Sequence, residues 1–212
     1  MTRLLTQGLI CLLCAATSLL AQGTQTADSA YQRGLREYQA GQFGPAAQDF
    51  ADAAKADPSN VYAQFYWGES SFKQRKYEES NGPLERALDL DKVAKKLSED
   101  QRRIVTDQLA TSYESSGSLK KLETLLDAAI RQDPQYAMNY YNLACAYASE
   151  GDKGKVLANL GLAFQHKDHV LKGEPVPDPR RDDSFQKYVA DPDFIALMRA
   201  NGLGENTDPE DE

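Results

Sequence analysis

Bulky apolar side chains recur along this chain at helical spacing. Leu109 and Tyr113 are four apart, as are Leu143 and Tyr147. Positions i, i+3, i+4 and i+7 share one face of a helix, so each such stripe predicts an amphipathic helix. Glycine and Asp-Pro interrupt the stripes. Asp133 to Phe164 shows the unit whole: an apolar stripe, a turn at Glu150-Gly151-Asp152, then a second stripe. Gly41, Gly117 and Gly151 stand where the first helix of a pair must end, and Pro58 and Pro134 follow aspartates that close a pair.

A shift of 34 residues lays the chain on itself. Leu109, Ala110, Tyr113, Gly117 and Ala129 fall on Leu143, Ala144, Tyr147, Gly151 and Ala163. Upstream, Gly34, Phe43, Ala53 and Asp57 fall on Gly68, Tyr77, Ala87 and Asp91. A repeat of this length is one supersecondary unit that buries its apolar face only against its neighbours. Gly34, Gly68, Ala110 and Ala144 mark the places where two helices approach closely.

These residues resemble the tetratricopeptide repeat, whose pattern is W-x-x-L-G-x-x-Y, then A-x-x-x-F, then P. Tyr140-x-x-Leu143-Ala144-x-x-Tyr147, followed by Val156-x-x-x-Leu160 and Ala163, carries the closest match; Ala46-x-x-x-Phe50-x-x-Ala53 and Pro58 carry another. The resemblance implies an all-α fold, a right-handed solenoid of about four helix–turn–helix units with a C-terminal helical cap. The array is expected over residues 22–164, with units at about 27–60, 61–94, 103–136 and 137–164. Unit one departs from the pattern at Arg33 and Glu37. Gly82-Pro83 in unit two predicts a second helix that starts late or kinks. An insert at 93–102 separates units two and three, and Ser98-Glu99-Asp100-Gln101 reads as a capping box.

The resemblance also implies where a partner would lie. First helices of such arrays line a concave groove, and the positions offset from the packing stripe face it. Here those are Tyr31, Leu35, Tyr38 and Gln39 in unit one, and Phe65, Glu69, Phe72 and Lys73 in unit two. In unit four they are Tyr141, Cys145, Ala148 and Ser149. The expected partner-binding set is Tyr31, Tyr38, Tyr62, Phe65, Glu69, Phe72, Lys73 and Tyr141. Aromatic rings give large contact area at low entropy cost. The Lys/Asn/Arg clamp with which some members hold a C-terminal carboxylate is missing: the corresponding positions are Asp107, Gln108, Thr111 and Glu114.

The ends read differently. Arg3 followed by the mostly apolar Leu9–Leu20 outlines a secretory signal peptide over 1–21, which predicts a periplasmic or secreted protein. The alternative is an uncleaved segment that anchors the chain to the membrane. Pro175, Pro177 and Pro179 make 165–182 a loop. Residues 183–201 read as two short helices, opened by Ser184 and by Asp191-Pro192, that cap the array; 202–212 reads as an acidic disordered tail.

Charge and chemistry narrow the function. The net charge of −8 becomes one unit more negative when 1–21 and its Arg3 are removed. That argues against nucleic acid as a partner, which needs a basic footprint. His166 and His169 could share a helix face, but a third and fourth metal ligand are missing at suitable spacing. Cys145 has no partner base near it in sequence and reads as a small apolar filler. No catalytic motif and no cofactor motif is present. The reading is a non-catalytic module, without cofactor or metal, that holds a protein or peptide segment of the cell envelope. A structural scaffold using its convex face or cap is the alternative, and a metal or thiol enzyme using these residues comes third.

Overall fold

A computed structural model describes residues 28–204; the expected signal peptide and the last eight residues of the acidic tail lie outside them. Every regular element in the described residues is helical. They are α1 (28–39), α2 (Phe43–Ala56), α3 (Val61–Lys73), α4 (Tyr77–Ala94), α5 (Glu99–Ser115), α6 (Leu119–Gln132), α7 (Ala137–Glu150) and α8 (Lys153–Gln165), then a 3-10 helix (Asp183–Tyr188) and α9 (Pro192–Ala200). The chain forms two compact units, one running to Val105 and the other starting at Thr106. The all-helical expectation holds, and the helices follow one another as hairpins.

In unit 1, the pairs α1/α2 and α3/α4 close on small residues. A Cβ on Gly68 would lie 2.5 Å from Leu84 Cγ, and one on Gly34 would lie 3.0 Å from the Phe50 ring. Leu84 and Phe50 are fully buried there. The 34-residue repeat of glycine is therefore a packing rule: the second helix drives its largest apolar side chain into the gap. Each such side chain contributes roughly 1.5–3 kcal/mol by leaving water.

Helix α4 starts at Tyr77 and continues through Pro83, without the late start that Gly82-Pro83 predicts. Proline disfavours the α conformation at its predecessor partly through a clash with that residue's Cβ. The predecessor is Gly82, which has none. Pro83 itself is buried beside Leu84.

The insert between the pairs is tied down by one carboxylate. Asp91, 3 % exposed, accepts from the backbone N–H of Lys96 (2.6 Å) and Leu97 (2.8 Å), and its other oxygen accepts from Arg102 (3.2 Å). Tyr62 donates to the Lys96 carbonyl at 2.7 Å. The capping box forms: Ser98 N–H donates to Gln101 Oε1 at 2.9 Å, and Gln101 N–H to Ser98 Oγ at 3.1 Å.

Unit 2 holds α6, the α7/α8 pair and the C-terminal elements. Gly151 ends α7 in the left-handed region (φ 83°). Asp191 caps α9, accepting from Asp193 N–H (3.0 Å) and Phe194 N–H (3.3 Å), with Pro192 in the first turn. The preceding short helix is 3-10 and is capped by Asp182, not Ser184: Asp182 Oδ1 accepts from the Ser184 N–H at 2.8 Å. The aspartate two residues earlier is the better cap because its ionised oxygen is the stronger acceptor. Phe185, Phe194 and Met198 enter one core with α7 and α8. Lys153 on α8 pairs with Asp191 (2.8 Å) and Asp193 (2.9 Å).

Two substitutions test this packing by thermal unfolding. Gly68→Ala is expected to lose about 1–3 kcal/mol through overpacking against Leu84. Arg75 stands where the repeat has Gly41 and adopts φ 60°. Arg75→Gly is expected to gain about 0.5–1 kcal/mol, because relief of left-handed strain of about 1–2 kcal/mol exceeds the added chain entropy. A neutral Gly68→Ala would contradict the packing rule.

Candidate functional site

The offset positions of α1 and α3 come together in unit 1 around a tyrosine that sequence reasoning passed over. Tyr66 stacks on Phe50 (centroids 5.2 Å, 19°). Its edges meet Tyr38 (5.3 Å, 65°), Tyr31 (6.3 Å, 58°) and Phe65 (4.9 Å, 65°). Tyr31 also meets Phe50 edge-on at 5.6 Å, and Tyr38 meets Phe43 at 5.5 Å. Edge-to-face pairs of this kind add stability beyond their buried area and hold the rings in fixed orientations. The signal for Tyr66 is the run Phe65-Tyr66-Trp67, three adjacent rings of which the offset stripe takes only Phe65.

Burial sorts the expected residues. Phe65 is 2 % exposed and Glu69 is 7 % exposed, so both belong to the floor of the stripe. Tyr31, Tyr38, Tyr62 and Phe72 are half-buried, and Lys73 is exposed. Phe72 leans on Tyr77 (5.0 Å, 51°). Tyr141 is 3 % exposed and belongs to unit 2.

Glu69 is the charged group of the floor. Burial pushes its carboxyl above the ordinary range, while the Tyr38 hydroxyl and the Lys73 ammonium act the other way. The same burial raises the hydroxyls around it: Tyr31 is pushed up to about 12, with Tyr66 and Tyr62 adding to the effect. Tyr38 is raised further, by burial first and then by Glu69. The stripe therefore presents neutral phenols that donate hydrogen bonds, over one buried carboxylate.

The same stripe positions in unit 2 are covered by the chain itself. Tyr141 donates to Asp182 Oδ2 at 2.7 Å, and its ring meets Phe185 edge-on at 5.7 Å and 84°. Ser184 donates to Glu114 Oε1 at 3.4 Å, and the Lys187 ammonium donates to the Ala148 carbonyl. Burial raises the Glu114 carboxyl, and the nearby Asp182 carboxylate raises it further. Cys145 is buried, and burial pushes its thiol well above the usual range, with Glu114 and Asp182 adding to the shift. A thiol held protonated is a poor nucleophile. Asp107 accepts from Tyr136 (2.5 Å) and Asn142 (3.2 Å). His166 stacks on Tyr140 (5.6 Å, 19°), so of the two histidines only His169 is exposed.

A pH titration of stability reads Glu69 directly. A carboxyl raised on folding holds its proton longer in the folded state, so its contribution to stability falls as pH rises through the raised value. Glu69→Gln is expected to melt above wild type at pH 8, with the difference closing as pH approaches the ordinary 4.5. An equal melting difference at both pH values would contradict the assignment.

No protein-family model and no curated protein matches this sequence. Solved structures do match the fold. MamA superposes with a TM-score of 0.59 at 16 % identity, over 72 % of this chain and 84 % of that one. A second MamA structure gives 0.56 at 18 %, over 86 % and 97 %. YrrB, described as a TPR protein with an unusual peptide-binding site, gives 0.57 at 14 %, over 89 % and 84 %. At these identities the likeness concerns architecture alone, and on that ground the chain has a fold like that of the tetratricopeptide-repeat proteins.

Proposed function

We propose that this protein is a non-catalytic binding module of the cell envelope, and that a segment of a partner protein lies on the unit 1 stripe formed by Tyr31, Tyr38, Tyr62, Phe72 and Lys73. The observation that carries the reading is the pair of half-buried phenols, Tyr31 and Tyr38, held at fixed angles against Tyr66, with the half-buried Phe72 ring held against Tyr77. Rings oriented in advance lose little freedom when a partner arrives, so more of their contact free energy appears as affinity. Phe65 and Glu69 support the rings from below. The fold likeness to YrrB, whose own description names a peptide-binding site, agrees with this reading. The apolar segment near the N-terminus supplies the envelope part of it: Arg3 and Leu9–Leu20 have the outline of an export signal.

Cross-linking pull-downs from an envelope fraction test the proposal. Wild type is compared with Phe72→Ala and Lys73→Glu, each first checked for wild-type unfolding behaviour. A partner captured by wild type is expected to fall about tenfold or more with Phe72→Ala, the loss typical of a buried aromatic anchor. Equal capture by all three proteins would move the binding surface to the convex face or to the C-terminal elements.

A further inference from the structure

Unit 2 shows what this kind of stripe holds, because the chain has placed its own segment there. Asp182 caps a 3-10 helix from an extended backbone, and Phe185 lies in its first turn, three residues on. Both meet the same residue: Tyr141 takes the carboxylate with its hydroxyl (2.7 Å) and the phenyl ring with its edge (5.7 Å, 84°). Asp182 also caps the turn through the Ser184 N–H at 2.8 Å, so one side chain both shapes the segment and anchors it.

Tyr31 holds the same place in the repeat. Gly34 follows it by three residues, as Ala144 follows Tyr141. Its ring is half-buried rather than covered. Its hydroxyl has no acceptor among the described residues, and it stays protonated as a donor up to about pH 12. Lys73 stands exposed on the same unit.

We propose that the unit 1 stripe takes a short turn of a partner protein that presents an aspartate and, three residues later, a phenylalanine. The Tyr31 hydroxyl donates to the carboxylate, and the phenyl ring enters the edge-to-face array of Tyr31, Tyr38 and Tyr66. The chain's own turn, Arg-Asp-Asp-Ser-Phe-Gln-Lys-Tyr, has two acidic and two basic residues, so such a segment is not repelled by the acidic surface. The proposal rests on the groove reading above and names the chemistry of its partner.

The test is a fluorescence-anisotropy titration of the purified protein with that octapeptide, copied from residues 181–188. Two altered peptides carry Asn for the first Asp, or Ala for Phe. The parent peptide is expected to bind about tenfold more tightly than either, as loss of a hydrogen bond to a charged group implies. In Tyr31→Phe protein the preference for Asp over Asn is expected to disappear, and in Tyr141→Phe protein to persist. Absence of binding, equal binding of the three peptides, or a preference that disappears with Tyr141→Phe instead would overturn the proposal; the last would mean exchange with the resident segment. If the octapeptide fails while Phe72→Ala still abolishes partner capture, the groove reading stands and only this chemistry falls.

Discussion

The close approach of two helices across a residue without a side chain is the contact on which the rest depends. Leu84 occupies the space a Cβ on Gly68 would need, and Phe50 does the same at Gly34. Neither side chain could be fully buried if the helices stood a methyl group further apart. That depth of insertion also sets which residues of the first helices are left over. The face that meets the second helix is consumed in packing, and the adjacent face, with Tyr31, Tyr38, Phe65, Glu69 and Phe72, becomes the stripe. Tyr31, Tyr38 and Phe65 are then fixed against Tyr66, which leans on the same Phe50 that fills the gap at Gly34. Packing and site thus share one residue.

The two units use equivalent positions differently. In unit 1 the stripe keeps half-exposed rings and an exposed lysine. In unit 2 it is occupied by Asp182 to Lys187, and Tyr141 is buried against them. Phe185 and Tyr188 continue into the same core as Phe194 and Met198. The resident segment is therefore bound together with α9, and releasing it would expose several large apolar side chains at roughly 1.5–3 kcal/mol each. On this account partner binding falls to the unit 1 stripe.

The helical order was legible because it is local. Stripes at helical spacing, the glycines at 41, 117 and 151, the Asp191-Pro192 start and the reciprocal Ser98/Gln101 cap all lie within a few residues of what they control. Pro83 does not delay the start of α4, because Gly82 before it lacks the Cβ that would clash with the proline ring. The site was only partly legible. Phe65 and Glu69 hold stripe positions, but their depth is set by the neighbouring helix pair. Tyr141 was assigned to a partner's surface because the residue that covers it, Asp182, is 41 positions away, beyond the reach of any period. Tyr66 was missed for an angular reason: it lies between the two stripes of α3 and takes part in both.

Hydroxyl-radical footprinting of native protein, which reads solvent access to the rings whatever their protonation, mapped by mass spectrometry, tests the central claim most directly. The account requires the stripe to be open in unit 1 and closed in unit 2. It predicts modification at Tyr31 and Tyr38, with Tyr141 protected until the protein unfolds. Modification of Tyr141 at the same rate as Tyr31 under native conditions would contradict it.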